Sequence, residues 1–253
     1  MNKPSDLVLE YKHLAEVTST NDYLRSFIPK ADITIVSASY QTRGRGQVGN
    51  TWVSDDGKNL LFSMLLCPPA LRASDGFILS QAMALAIRDV LAGLLDGICV
   101  KWPNDIYCQG RKICGTLIEN SLQGKLLGRS IIGSGINVNQ KHFPDGLAAP
   151  ATSLLLMLGQ ETDPLALLHS VVQGFVDYYE RILAGDFQRI RELYHQSLYL
   201  VGQEHLYADA DGVFLGTISH VEPDGHLIIS DEKGHLRRYA FKEVSLVHSK
   251  HIQ

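Results

Sequence analysis

Four short stretches of the 253-residue chain gather cationic, amide and hydroxyl side chains beside glycine or proline. In Val100-Lys101-Trp102-Pro103-Asn104-Asp105 an apolar run ends in a lysine, an aromatic ring, an amide and a carboxylate. Proline biases the residue before it toward an extended backbone, which fixes where Lys101 and Asn104 point. A rigidly placed cation suits electrostatic stabilisation of developing charge. In Gly44-Arg45-Gly46-Gln47-Val48-Gly49, two glycines flank Arg45, so backbone amides and a guanidinium can close on an anion. The same string matches G-x-G-x-x-G, but that fingerprint needs a helix to start at the glycines. Here Asn50 to Gly57 is turn-rich and leads into a strand, so a dinucleotide fold is rejected.

The third stretch, Arg111 to Glu119, reads as a strand whose central Gly115 weakens it unless something approaches its backbone closely. The fourth, Gly133-Ser134-Gly135-Ile136-Asn137-Val138-Asn139, sets Asn137 and Asn139 on one face, either as amide contacts to a ligand or in a plain bulged strand. Taken singly, each stretch has an ordinary reading, a solvated Lys101 or a solvated Arg45 in a hairpin loop. Their accumulation marks a site. The chain lacks G-x-x-x-x-G-K-[ST], H-E-x-x-H and G-x-S-x-G, so a P-loop, a zincin and a nucleophile elbow are excluded.

Positioning these residues requires a particular set of elements. Thr18 to Asn21 are cap-competent and precede a short apolar-periodic stretch, a helix start. Residues 33–40 and 59–66 read as strands, and 74–95 as a long amphipathic helix. From 98 to 139 alternation between Gln109-Gly110 and Gln123-Gly124 turns predicts an antiparallel meander. Helical periodicity returns over 164–183 and 187–198. After about Leu200, Asp211-Gly212, Pro223-Asp224-Gly225 and Lys233-Gly234 punctuate short strands, which predicts a small all-β barrel. The expected organisation is a catalytic unit over 1–199 and a β unit over 200–253.

The net charge is −4, from 23 Lys plus Arg against 27 Asp plus Glu, and no basic surplus advertises a nucleic-acid partner. The first 199 residues hold 18 basic and 19 acidic groups, and the last 54 hold 5 and 8, so neither part is basic. No apolar run approaches the ~18 to 20 residues that span a bilayer, and the N-terminus lacks a signal-peptide pattern, so no membrane partner and a cytoplasmic location are expected. Cys67, Cys99, Cys108 and Cys114 are never spaced C-x-x-C and read as reduced core or near-core thiols. The histidines of the last 54 residues show no ligand spacing and read as solvated turn and edge residues.

In combination, the chain resembles the biotin protein ligase family. The residues that carry the resemblance run in family order: Ser19-Thr20-Asn21, Tyr40-Gln41, Gly44-Arg45-Gly46 through Trp52, Gly57 with Asn59-Leu60 and Ser63, Lys101-Trp102-Pro103-Asn104-Asp105, Lys112 with Gly115 and Glu119, and Gly133 through Asn137. Glu243-Val244-Ser245-Leu246 extends the likeness to the C-terminal β unit. The resemblance implies an α+β fold, a mixed, largely antiparallel sheet with helices packed on it, of class II synthetase-like type, plus the small barrel. It implies that biotin and MgATP give biotinyl-5′-AMP and pyrophosphate, and that a lysine of a biotin carboxyl carrier domain then takes the biotinyl group. Arg45 and Lys101 would stand between the two reacting anions. Ser19, Thr20, Asn21 and Gln41 would bond the ureido end of biotin, with Arg45, Gly46, Gln47 and Lys101 around the rest and Gly115 beneath the ring. Arg45, Trp52, Lys101, Asn104, Lys112 and Asn137 would hold the nucleotide. No residue announces itself as a Mg²⁺ ligand.

Two departures stand out. The ligase pattern begins by residue 19, so the helix-turn-helix of repressor relatives, and DNA as a partner, are not expected. Gln47 stands where many relatives carry a second arginine, which predicts a weaker hold on the adenylate or reliance on Lys112. A homodimer is the favoured assembly. The competing readings are a lipoate-protein ligase or octanoyl transferase, the latter needing a nucleophile such as Cys114, and a biotin sensor that does not ligate.

Overall fold

The computed structural model describes residues 7–47, 50–144, 147 and 149–247. Val48 and Gly49 of the glycine string lie outside the described residues. In chain order the first part comprises β1 (Leu9–Val17), α1 (Thr20–Arg25), β2 (Ile33–Gln41), β3 (Leu60–Leu66), α2 (Phe77–Ala92), β4 (Ile98–Lys101), β5 (Asp105–Cys108), β6 (Arg111–Gln123), β7 (Leu126–Ile136), α3 (Leu154–Leu158), α4 (Pro164–Leu183) and α5 (Phe187–Gln196). The second part is β8 (Glu204–Asp209), β9 (Gly212–Val221), β10 (Leu227–Asp231), β11 (Leu236–Tyr239) and β12 (Ser245–Leu246).

β1 to β7 form one sheet of order β1-β2-β3-β7-β6-β5-β4, antiparallel except for the parallel β1–β2 pair. The strand-helix-strand path through α1 permits that parallel pair. β8 to β12 form a separate antiparallel sheet of order β11-β10-β9-β8-β12. The sheet's two faces differ in chemistry because side chains alternate along each strand. Ile106, Cys114, Ile132, Ile136, Phe62 and Met64 turn to one face and join the side chains of α2, α4 and α5 in the main core. α4 starts at Pro164 behind Asp163, whose carboxylate accepts from Leu165 N at 2.9 Å.

The opposite face carries Gly115, Leu117 and Glu119 of β6 beside Gly133 and Gly135 of β7, with Gly115 directly opposite Gly135. α1 sits on that face over a small second core of Leu24, Val36, Leu65 and Ile131. β1 and α3 were not expected. β1 is a charged edge strand with Glu10, Lys12, His13 and Glu16 exposed or half exposed, so its hydrophobic alternation is faint. α3 spans five residues, too few for periodicity, and is fixed by Ser153 accepting from Leu156 N. The helices expected at 74–95 and 187–198 are shorter, because Ala73–Asp75 is a 3-10 turn and Ser197 caps α5.

Candidate functional site

A cavity of about 160 Å³ opens on the glycine-bearing face of the large sheet. Its polar end is built by α1. Ser19 is the N-cap residue, but its hydroxyl makes no capping bond, and Thr20 N instead donates to Gln41 Oε1 at 2.8 Å. Thr20 Oγ1 donates to the same oxygen at 3.1 Å. Ser63 Oγ lies 2.6 Å from Thr20 Oγ1 and 2.6 Å from Asn21 Oδ1. Asn21 then donates from Nδ2 to Glu119 Oε2 at 2.9 Å, so its carboxamide orientation is fixed. A Cβ on Gly133 would lie 2.0 Å from Asn21 Oδ1, which explains why that position is glycine.

The middle of the cavity is a platform without side chains. A Cβ on Gly135 would fall 2.4 Å from the Trp52 ring and one on Gly115 3.1 Å from it, so the indole lies against the paired glycines. This is the close approach expected at Gly115. Trp52 Nε1 is buried with no hydrogen-bond partner among the described residues, and so is Arg45 Nε. Two donors left unpaired at one cavity suit a ligand that carries acceptors.

Charge is concentrated at two places. Arg45 Nη2 lies 2.8 Å from Glu119 Oε2 and 3.1 Å from Asp22 Oδ1, while Arg25 Nη2 lies 2.5 Å from Glu119 Oε1. Burial raises the Glu119 carboxyl, but hydrogen bonds from Arg25, Asn21 and Arg45 outweigh it and hold the group below the ordinary carboxylate value. Across the platform, Lys112 Nζ pairs with Asp105 Oδ1 at 2.8 Å and lies 5.9 Å from the Trp52 ring centroid. Lys101, opposite Asp105 in the β4–β5 pair, places Nζ 3.1 Å from Tyr107 Oη. Burial pushes the Lys101 ammonium down, Asp105 opposes that and Lys112 adds to it.

The turn that carries Lys101 is held from all sides. Tyr194 Oη donates to Pro103 O at 2.6 Å, and Trp102 Nε1 donates to Gly225 O of the β9–β10 turn at 2.9 Å. Asn104 donates to Thr116 O and accepts from Gln47 Nε2 at 2.8 Å. The expected site residues Ser19, Thr20, Asn21, Gln41, Arg45, Gly46, Gln47, Trp52, Lys112 and Gly115 line the one cavity. Lys101 lies beside it, its neighbours Asp105 and Lys112 forming the wall. Asn104 faces an adjoining cleft, and Asn137 donates from Nδ2 to Thr152 O at 3.0 Å away from the cavity. Asn139 likewise ties down Thr162.

Sequence reasoning left out Ser63, Asp105, Glu119 and Phe241 as site residues. Ser63 had a legible signal, a hydroxyl inside the otherwise apolar Leu60–Leu66 strand. Phe241 had none, since it comes from the turn between β11 and β12 and reaches the cavity only in three dimensions.

The model of the biotin/lipoate A/B protein ligase family matches residues 14–137. The biotin--[acetyl-CoA-carboxylase] ligase of Paracoccus denitrificans is 30% identical over 237 residues, which cover 87% of this chain and 94% of that protein. The chain belongs to this family. The bifunctional ligase/repressor BirA of Bacillus subtilis is 29% identical over 211 residues, and the matched region spans 82% of this chain but 64% of the length of that relative. Among solved structures, the biotin protein ligase of Aquifex aeolicus in complex with biotin and ATP is 27% identical, with 95% of this chain and 99% of that one covered and a TM-score of 0.78.

The family includes lipoate enzymes by name, so the cysteines matter. Cys114 is buried on the helix-packed face, opposite the cavity, and burial pushes its thiol far up. A thiol so placed is no nucleophile for an acyl group at the platform. Cys108 is buried and Cys99 half-buried, its thiol pushed up to about 11 by burial and Cys108. Cys67, expected in or near the core, is exposed because β3 ends at Leu66 before it. Among the histidines, His226 does meet Glu222 and Asp224, but Arg238 sits 2.6 Å from each carboxylate, so the group is already charge-paired. No helix is long and apolar enough to cross a membrane.

Proposed function

We propose that the protein activates biotin with MgATP to biotinyl-5′-AMP, releasing pyrophosphate, and then transfers the biotinyl group to a lysine of a biotin carboxyl carrier domain. The observation that carries this reading is the hydroxyl-and-amide end of the cavity, Ser19, Thr20, Asn21, Gln41 and Ser63, set beside a side-chain-free platform and two cationic groups. A ureido ring has donors and acceptors for such a lining, and an analogue lacking them leaves buried polar atoms unpaired. A lipoyl or octanoyl chain has nothing to offer those groups.

The first step brings a carboxylate against a phosphate. At an effective dielectric near 20, unit charges about 4 Å apart repel by about 4 kcal/mol, so cations must screen them. Arg45 and Lys112 line the cavity and Lys101 adjoins it. Arg45 orients the biotin carboxylate, and Lys101 with Lys112 offsets charge on the α-phosphate. Trp52, seated against Gly115 and Gly135, helps hold the nucleotide, Gly46 and Gln47 close over the acyl-phosphate junction, and Asn104 and Asn137 support the nucleotide side through the loops they tie. Asp105 is the carboxylate among the described lining residues, and Lys112 occupies it. Mg²⁺ therefore enters as part of the MgATP substrate.

In this reading residues 1–199 are the catalytic unit and 200–253 an appended β unit. The working form is cytoplasmic and, on family grounds, a homodimer. Incubation with biotin, ATP and a carrier domain, followed by mass spectrometry, tests the reading: one acceptor lysine gains a biotinyl group. Absence of that product with active carrier domain overturns it.

A further inference from the structure

A second cleft, of about 430 Å³, opens between the large sheet, α2 and the second sheet. It meets the main cavity at Gln47, Leu117 and Phe241, which line both. The Gln47–Asn104 amide bridge at 2.8 Å stands at that junction. Phe77, Pro103, Ile118 and Phe241 give the cleft apolar walls, and Asn120 lines its exposed flank.

Its charge is opposite to that of the main cavity. Among the described residues none of its walls carries lysine or arginine, and its charged member is Asp224. Asp224 is not free: Arg238 sits 2.6 Å from it and 2.6 Å from Glu222, and His226 Nδ1 lies 2.9 Å from it, so two carboxylates share one guanidinium and the mouth keeps a net negative charge. Such a groove is ill suited to a polyphosphate, which needs cations, and well suited to an alkylammonium, whose methylene stem takes apolar walls while its head meets a carboxylate.

We infer that this cleft is the port by which the acceptor lysine reaches the activated acyl group, with the Gln47–Asn104 bridge and Phe241 as its threshold. The inference rests on the ligase reading and adds where the amine enters. The net negative group of Glu222, Asp224 and Arg238 draws the ammonium to the mouth, and desolvation along the apolar walls favours its neutral form. The neutral nitrogen forms the new C–N bond to the biotinyl carbonyl. The C–O bond to phosphate breaks, AMP leaves with that electron pair, and the amine proton passes to water.

The test separates the two half-reactions in the full chain. Asn120→Trp fills the cleft from an exposed position, and Asp224→Asn removes the charge at its mouth without adding bulk to the walls. Three rates are read for each: biotin-dependent ATP–pyrophosphate exchange, capture of the activated acyl group by hydroxylamine, and transfer to a carrier domain. The port predicts exchange and hydroxylamine capture within twofold of the parent, and a KM for carrier domain raised about tenfold or more in both variants. Unchanged carrier KM in both variants overturns the port, and so does a raised KM for ATP in the exchange assay, which would assign the cleft to the nucleotide. Failure of the ligase reading is distinct, since the parent protein itself would then show no biotin-dependent exchange.

Discussion

The Arg45 guanidinium stands 2.8 Å from the Glu119 carboxylate, and the same carboxylate oxygen accepts from Asn21 at 2.9 Å. One β6 carboxylate thus orients both the Asn21 amide and the Arg45 guanidinium. Replacement by Glu119→Ala should raise the KM for biotin about tenfold with a smaller change in kcat, while Glu119→Gln, which keeps an acceptor for Asn21, recovers part of the loss. A parallel fall in kcat for both variants would contradict this division.

The lowered Glu119 value also sets a pH window. A carboxyl depressed in the folded state stabilises the fold above its ordinary pKa, and that contribution disappears as pH falls through the depressed value. Thermal denaturation should therefore show the parent melting above Glu119→Gln at pH 7, with the difference shrinking as the pH is taken through the acid range. A gap that stays constant on acidification would contradict the sign.

Lys101 is pushed down by burial, so it loses its charge at lower pH than an exposed lysine. Adenylation should decline on the alkaline side below the ordinary lysine value, and Lys101→Arg should move that limb to higher pH. Lys101→Ala should reduce adenylation about 100- to 1,000-fold, the usual cost of deleting one preorganised charge-stabilising group, with unaltered circular dichroism. Near-normal exchange in Lys101→Ala removes it from the mechanism.

Gln47 is strapped to Asn104 by a neutral amide bridge where a guanidinium would make charge-assisted bonds, which are roughly twice as strong. Gln47→Arg should lengthen the half-life of bound biotinyl-AMP about tenfold, equivalent to about 1.4 kcal/mol. An unchanged half-life would contradict a weaker hold on the adenylate by Gln47.

Gly135 has no room for a methyl group beneath Trp52, and Gly133 none beside Asn21. Gly135→Ala should cost about 1–3 kcal/mol, as overpacking does, or displace the indole. Tryptophan fluorescence and thermal melts distinguish these outcomes; an unshifted emission with unchanged melting would refute the close approach.

Much of this was legible in the chain because it was encoded locally. The meander from 98 to 139 announced itself through alternation and through the Gln109-Gly110 and Gln123-Gly124 turns, which fall between β5, β6 and β7. α4 had its cap, its proline and its period in register. The close approach at Gly115 was legible by type, since a glycine inside a strand demands a close neighbour and Trp52 supplies it. What stayed hidden depends on distance in sequence. Asn137 donates from Nδ2 to Thr152 O, and neither residue signals the other in the sequence. Phe241 enters from the β11–β12 turn, and Trp102, beside Lys101, is secured by the carbonyl of Gly225 across 123 positions. β1 was masked because an exposed edge strand carries charges where a buried one would alternate.

Selective activation of biotin is measured directly by ATP–pyrophosphate exchange. With the purified chain and radiolabelled pyrophosphate, exchange should depend on biotin and stay at background with lipoate or octanoate. Exchange supported by lipoate or octanoate, or none with biotin, would contradict the account.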